Sequence, residues 1–265
     1  VYFDRWHPSL TNQHMIILGR SGAGKTYTMM TIIVRSVLAG IRHAIIDWKG
    51  EFKDLMLATG CPFIELSESS KDRINPYDVD ITEDLDGSRY IDIEEASNGV
   101  QALVFKMIST YDPSALTGEV KVFIGKAIRE QYADATITRD INSLYTNAHK
   151  DGQFGRRKKP MPTLSGLYEK MAQSEIESVR KAAEMLRPFT KHGNSPSYAI
   201  FDGQSTVDIG QAPMFAFAIN KLDKEIMRPI GLFATARWLT ENFAKKNPEQ
   251  RKSVVIEECQ NIFDD

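Results

Sequence analysis

The chain has 265 residues, with 33 Lys and Arg against 35 Asp and Glu, a net charge of -2, 26% charged and 42% hydrophobic residues. This balance excludes an intrinsically disordered or collagen-like polymer and lacks the strongly basic footprint of a dedicated nucleic-acid binder. The length fits one α/β core carrying a sizeable insertion.

Two cysteines, Cys61 and Cys259, with no CxxC pair and no zinc-spaced histidine, support neither a disulfide framework nor a zinc site and point to a reducing cytoplasm. No run approaches the roughly 18 apolar residues of a membrane helix, and VYFDRWHPSL has no signal-peptide core. Starting without Met and stopping at Asp265 just past an apolar run, the sequence reads as a trimmed piece.

In chain order, Met15 to Leu18 predicts a short strand, followed by a glycine-rich turn. A helix is expected from Lys25 to Leu38, with Gly40 as its stop, and then a strand at Ala44 to Ile46. Phe63 to Leu66, Met214 to Ile219 and Ser253 to Ile256 are further strands, which fit a parallel sheet with helical crossovers. Asp78 to Glu95 carries eight acids against Arg89 and is expected to be a solvated linker. Its last acids, Asp92, Glu94 and Glu95, fall in a helix's first turn.

From about Ile91 to Thr190 the spacing turns helical, around Val100 to Ile108, Phe123 to Ile128, Ile141 to Ala148, Leu164 to Met171 and Ile176 to Leu186. Ser174 and Glu177 stand at capping-box spacing before the last of these. Five helices without a strand predict an all-α subdomain, residues 91–190, inserted into a core formed by 1–90 and 191–265. Arg156, Arg157, Lys158 and Lys159 are expected on an exposed inter-helix loop. They serve either solubility or contact with phosphate or an acidic partner. Pro229, within a helical stretch from Leu222 to Phe243, predicts a kink or break near Met227.

Gly19-Arg20-Ser21-Gly22-Ala23-Gly24-Lys25-Thr26 matches GxxxxGK[ST] between the first strand and the first helix. Glycines let backbone amides and the helix N-terminus face phosphate oxygens, Lys25 reaches the β- and γ-phosphates, and Thr26 ligates Mg²⁺. The nucleotide-binding set is Gly19, Arg20, Ser21, Gly22, Ala23, Gly24, Lys25, Thr26 and Tyr27.

Val254-Val255-Ile256-Glu257-Glu258 is an apolar strand ending in two carboxylates, the form of a Walker B segment. Glu257 is expected to hold Mg²⁺ through a water, and Glu258 to orient and deprotonate the attacking water. A rival pattern reads Asp47-Trp48-Lys49-Gly50 as DxxG and Asn220-Lys221-Leu222-Asp223 as NKxD, the signatures of a GTPase switch. The interval from Lys25 to Asp47 opposes it, because one helix and a turn consume it and leave no room for a switch loop.

GRSGAGKT, IDWKGEF (Ile46 to Phe52), INPYDV (Ile74 to Val79), GQSTVDI (Gly203 to Ile209) and VVIEECQNIF (Val254 to Phe263) occur in that order. Together they resemble the conjugative-transfer ATPases of type IV secretion systems, VirB-four-type and TraC/TrbE-like, in the HerA/FtsK branch of RecA-like motors. The resemblance implies an α/β RecA-like P-loop core with a mainly parallel sheet and an all-α subdomain. It implies Mg²⁺-dependent ATP hydrolysis powering pilus assembly and substrate transfer, in a hexamer or lower oligomer. The expected location is cytoplasmic, peripheral at the inner face of the bacterial membrane, beside secretion-system membrane proteins and a coupling ATPase, with DNA as a further partner. By position, Asp47 and Glu51 match the family's acids after the second core strand. Asp47 falls in the metal's second shell, and Glu51 becomes an orienting residue or an alternative base to Glu258. A DNA-translocating HerA/FtsK-type motor shares all of this site chemistry.

Overall fold

The computed structural model describes residue 7 and residues 9–84, 86–150, 153–247 and 249–259; the side chains of 147–150 and 153–155 are not described. Helix α1 is Lys25–Leu38, as the spacing predicts, and a turn through Gly40 leads into strand β1, Arg42–Asp47. Helix α2 (Lys53–Thr59) and strand β2 (Phe63–Glu65) follow. Short strands β3 (Thr82–Glu83) and β4 (Arg89–Tyr90) pair antiparallel before helices α3 (Ile93–Tyr111) and α4 (Gly118–Asp134). Strands β5 (Tyr145–Lys150) and β6 (Gln153–Lys158) form a hairpin, followed by helices α5 (Leu164–Ala172) and α6 (Glu177–Leu186). Strand β7 (Met214–Ala218), helix α7 (Met227–Leu239) and strand β8 (Lys252–Ile256) complete the order.

The main sheet has the order β2-β7-β1-β8 and every pairing is parallel. Alternation along β1 sends Ile45 to one face and Ala44 and Ile46 to the other. Ile45 joins Ile33 of α1 and Met56 of α2 in a small core. Ala44, Ile46, Phe215 and Phe217 join the large core built with α3 to α7. The sheet is thus a central layer covered on both faces, which is why every residue of β1 and β7 is buried, the polar Arg42, His43 and Asp47 of β1 included.

Several expectations change. Met15 to Leu18 forms no strand, and Ile16 and Leu18 are 77% and 87% exposed. A strand needs a ladder partner, and this run finds none among the described residues, while β1 is already flanked by β7 and β8. Ile141 to Ala148 is a short 3₁₀ turn (Ile141–Leu144) running into the β5–β6 hairpin, so the inserted region is not all-α. Asp151-Gly152, the pair that favours two-residue hairpin turns, lies between the strands and outweighs the helical spacing. The basic run therefore lies on β6 and just after it, with Arg156, Arg157 and Lys158 exposed.

Helix α6 starts at Glu177 after Ile176 and has no side-chain cap, so the capping box does not form. Asp92 does cap α3, accepting from the Glu95 amide at 2.9 Å. The acidic run is partly buried rather than a solvated linker: burial pushes the Asp78 carboxyl up, and Asp80 pairs with Lys246 at 2.6 Å. Pro229 falls in the first turn of α7, where its missing amide costs nothing, and the break expected near Met227 is the start of that helix.

The polar motifs knit the insertion to the sheet. The Asn75 side chain donates to the Pro162 carbonyl at 2.9 Å, the Tyr77 hydroxyl bonds Gln131 of α4 at 2.6 Å, and Gln204 exchanges two 2.8 Å bonds with the Met161 backbone. Leu103, fully buried in α3, should cost about 2–5 kcal/mol on change to Ala. Leu38, 84% exposed, should cost under about 0.5 kcal/mol on the same change. Urea unfolding of the two variants measures the contrast.

Candidate functional site

The loop before α1 is held open by its glycines. Gly22 and Gly24 have φ of 77° and 81°, left-handed values that other residues adopt only with strain. Gly24 is the N-cap of α1, supplies no side-chain cap, and no acid stands in the first turn. The leading amides of α1 therefore lack an intrahelical acceptor and face an anion-sized need. The Lys25 ammonium folds back on the loop, donating to the carbonyls of Gly19 at 3.0 Å and Arg20 at 3.4 Å. Arg20, Ser21, Ala23 and Tyr27 are exposed. The Thr26 hydroxyl has no protein partner among the described residues.

Helix α1 is about 21 Å long and β1 about 20 Å, and they are joined by the turn at Gly40. Running back along the strand, the helix brings the loop toward the end of β1 that carries Asp47. Asp47 is fully buried, and its carboxylate accepts from the amides of Gly50 at 2.7 Å, Glu51 at 3.1 Å and Phe52 at 2.9 Å. Those bonds curl Trp48 to Phe52 into a tight turn leading to α2.

Glu257 leaves β8 beside this turn. Its amide donates to the Ile46 carbonyl at 3.1 Å and its Oε2 accepts from the Lys49 amide at 3.2 Å. Burial, then the hydrogen bond and negative charge of Asp47, push the Glu257 carboxyl up to about 8. Glu258 has a left-handed backbone, φ 53°, and forms an ion pair with Lys49 Nζ. That contact raises the Lys49 ammonium above its ordinary value, with Glu257 and Glu51 adding their charges. Glu51 is exposed at the rim. The mouth of the sheet thus gathers Asp47, Glu51, Glu257 and Glu258, while Gln260, Asn261, Ile262 and Phe263 of the last motif lie outside the described residues.

Three neighbours take on contacts that the sequence patterns do not give them. Lys49 was passed over between the Asp and Gly of DWKG. Arg228 lies in the first turn of α7, its guanidinium 5.2 Å from the Trp48 ring centre and donating to the Asn220 carbonyl at 2.8 Å. Asn220 packs so closely under Gly50, whose φ is 82°, that a Cβ there would stand 2.6 Å from its side-chain nitrogen. Asp223 accepts from the Ile226 amide at 2.8 Å, and so serves the turn before α7. The positive-φ glycine beside buried Asp47 was the available signal, since it requires a close neighbour at that place.

The residues fit a nucleotide phosphate and a divalent cation. Uncapped amides and Lys25 suit the anion, and a buried Glu257 carboxyl whose proton is held up to about pH 8 beside Asp47 suits a cation that displaces that proton. No group of three or more metal-ligating side chains occurs among the described residues. A magnesium ion needs only one or two protein oxygens beside phosphates and waters.

An uncapped glycine loop opening a helix, beside a parallel sheet with carboxylates at the same mouth, defines a P-loop nucleotide-binding core of the α/β class. The chain belongs to the family described as Helicase HerA, central domain, whose model matches residues 2–207. The fold is similar to that of VirB4 of Thermoanaerobacter pseudethanolicus. The TM-score is 0.68 at 19% identity, over 90% of this chain and 82% of that one. No curated protein matches the chain significantly. Among the described residues no helix is long and apolar enough to cross a membrane.

The Glu257 shift sets a pH dependence. The unfolded chain releases this proton near 4.5 and the folded one near 8, so between those values the folded state binds more protons and the group's contribution to stability falls as pH rises. Glu257→Gln removes that slope. Without Mg²⁺ it should raise Tm by about 2–6 °C at pH 8.5, equivalent to about 1–2 kcal/mol after discounting for screening, and by almost nothing at pH 5. Thermal melts at the two pH values check it.

Proposed function

We propose that this chain is the motor core of a Mg²⁺-dependent ATPase that powers conjugative DNA and protein transfer and pilus assembly in a type IV secretion system. What supports this reading is the uncapped Lys25–Thr26 loop opening α1, together with the Glu257–Glu258 pair at the end of β8 in a parallel sheet. The same reading makes residues 91–190 a subdomain inserted into the nucleotide-binding core, and the assembled machine a homo-oligomer, a hexamer by resemblance. It sits at the inner face of the membrane beside membrane proteins and a coupling ATPase.

The amides from Gly22 to Thr26 bind the β- and γ-phosphates, with Arg20, Ser21 and Tyr27 at the rim, and Lys25 exchanges its loop carbonyls for phosphate oxygens. Thr26 and, through water, Glu257 would hold Mg²⁺, which when bound neutralises charge on the phosphate oxygens. Asp47 orients Glu257 through the hydrogen bond between their side chains. Glu258 orients the attacking water and takes its proton, with Glu51 as the nearby alternative base.

ATP is favoured over GTP because Asp223 is engaged in its own turn. Lys25→Ala should weaken ATP binding about 10–100-fold by calorimetry, as expected for a lost charge-assisted contact. Glu258→Gln should keep ATP affinity and lose about 10²–10⁴ in turnover; full activity would move the base role to Glu51. Competition of ATP against GTP, repeated with Asp223→Ala, decides the nucleotide, and a GTP preference lost in that variant would restore the switch reading.

A DNA-translocating motor is the second reading, favoured by a cavity of about 700 Å³ at the opposite end of the sheet. It is lined by Arg42, Arg157, Lys158, Lys159 and Lys246 against Asp78, Asp80 and Asp208, with Asp80 paired to Lys246. If DNA binds there, replacing Arg156, Arg157, Lys158 and Lys159 by Ser should weaken it about tenfold or more at low salt and flatten its salt dependence. Fluorescence anisotropy with a labelled oligonucleotide measures this, and unchanged affinity leaves the run a solvated face.

A further inference from the structure

Arg42 opens β1 at the end of the sheet away from the mouth, and it is only 9% exposed. A buried charge is ordinarily paired with an opposite one. Arg42 forms no ion pair with a carboxylate among the described residues, and burial alone pushes its guanidinium down, with no acid holding it up. Its partner across the ladder is another cation, Lys252, which is lowered by burial and then by the charge of Arg42. The two cations flank the Phe243 ring, 5.4 and 5.9 Å from its centre.

One edge of the Arg42 guanidinium holds the loop before β7: Nε donates to the Ala212 carbonyl at 3.0 Å and Nη2 to that of Gly210 at 3.1 Å. The other edge, Nη1 and the second Nη2 hydrogen, meets no acceptor among the described residues, and Nη1 is not sealed in by protein. The open space beside Arg42 is the cavity of about 700 Å³, a volume in the range of small-molecule sites. Asn242 and Phe243 of its wall belong to a π-helical turn, Thr240–Ala244, a form found frequently at functional sites. Three acids share the wall, and each has partners of its own. Asp80 pairs with Lys246 at 2.6 Å, Asp208 accepts from the Gly210 amide at 2.8 Å, and Asp78 bonds Ser205 and Trp238. Lys158 lowers Asp78 and Asp80 by its charge but forms an ion pair with neither, and Arg157 has no carboxylate partner among the described residues. Both are exposed on β6.

We propose that this cavity is an anion site separate from the glycine loop, which takes the terminal phosphate of a small phosphorylated molecule on the free edge of Arg42, with Arg157 and Lys158 beside it. Such a site stands whether or not the chain is a motor. A guanidinium edge matches two oxygens of one phosphate. A terminal phosphate brings close to two negative charges on one group, which suits three cations without carboxylate partners better than the single charge of a carboxylate does. A nucleic-acid backbone offers one charge per phosphorus, and its strand must leave the cavity as well as enter it.

The test uses the full chain carrying Lys25→Ala, so that the glycine loop lacks its ammonium, with inorganic phosphate as the probe and ³¹P line broadening as the readout. Saturable binding is expected in this background. Adding Arg42→Gln should weaken it about tenfold or more, the worth of a charge-assisted hydrogen bond. Adding Arg157→Ser and Lys158→Ser together should weaken it about two- to fivefold, as for exposed charges. The serine pair leaves the bonds of Arg42 to the loop before β7 in place, so it reads the cavity even where Arg42→Gln fails to fold. Absence of saturable binding in the Lys25→Ala chain overturns the site, as does affinity unchanged by the serine pair or by a folded Arg42→Gln variant. A short single-stranded oligonucleotide with hydroxyl ends is the second probe, and it should leave the bound phosphate in place. Displacement of phosphate at equal phosphorus concentration would give the cavity to a nucleic-acid backbone and overturn the proposal.

Discussion

A carboxylate withdrawn completely from water must be satisfied by its surroundings, and Asp47 at the end of β1 is in that position. Three amides from one turn supply most of what it needs, and a hydrogen bond with the Glu257 carboxyl supplies the rest. Each consequence is local and definite. The turn requires a left-handed glycine at position 50, packed onto Asn220; it aims the Lys49 amide at β8; and it starts α2 at Lys53. The mouth is therefore shaped around one charge, with four strands in register behind it.

Helices α3 to α6 are joined to this frame by a shared apolar core and by polar contacts. Tyr77 and Tyr132 lie fully buried with ring centres 5.6 Å apart, and the Tyr132 hydroxyl donates to the Tyr77 carbonyl at 2.9 Å. Arg237 of α7 reaches across to the Ala96 carbonyl of α3 at 2.7 Å, through the space left by Gly99. One large apolar core runs from β1 and β7 into α3, α4, α5 and α6. Motifs that looked chemical in the sequence, INPYDV and GQSTVDI, are largely this fastening.

What was legible depended on whether the signal was local. Helix α1, the strands at Ala44, Phe63, Met214 and Ser253, and the glycine loop follow from side-chain period and backbone freedom, which neighbouring residues settle. Met15 to Leu18 failed because an apolar run specifies burial and β-propensity but not a ladder partner. Ile141 to Ala148 departs from a helix because four apolar positions at helical spacing say less than an Asp-Gly pair in the sequence three residues further on. At the site, the loop and both glutamates were readable as patterns. Lys49, Asn220 and Arg228 were not, since their importance comes from contacts between β1, β7, β8 and α7 that no spacing encodes.

The left-handed backbone at Glu258 has a consequence for how this chain would respond to selection. Glycine, or less readily asparagine, would hold the same conformation with less strain, so the carboxylate persists there against the preference of its own main chain. Enrichment for heat resistance without a functional screen would drift toward glycine at that position. The hardiest descendants would be well folded and would lack the Lys49–Glu258 ion pair.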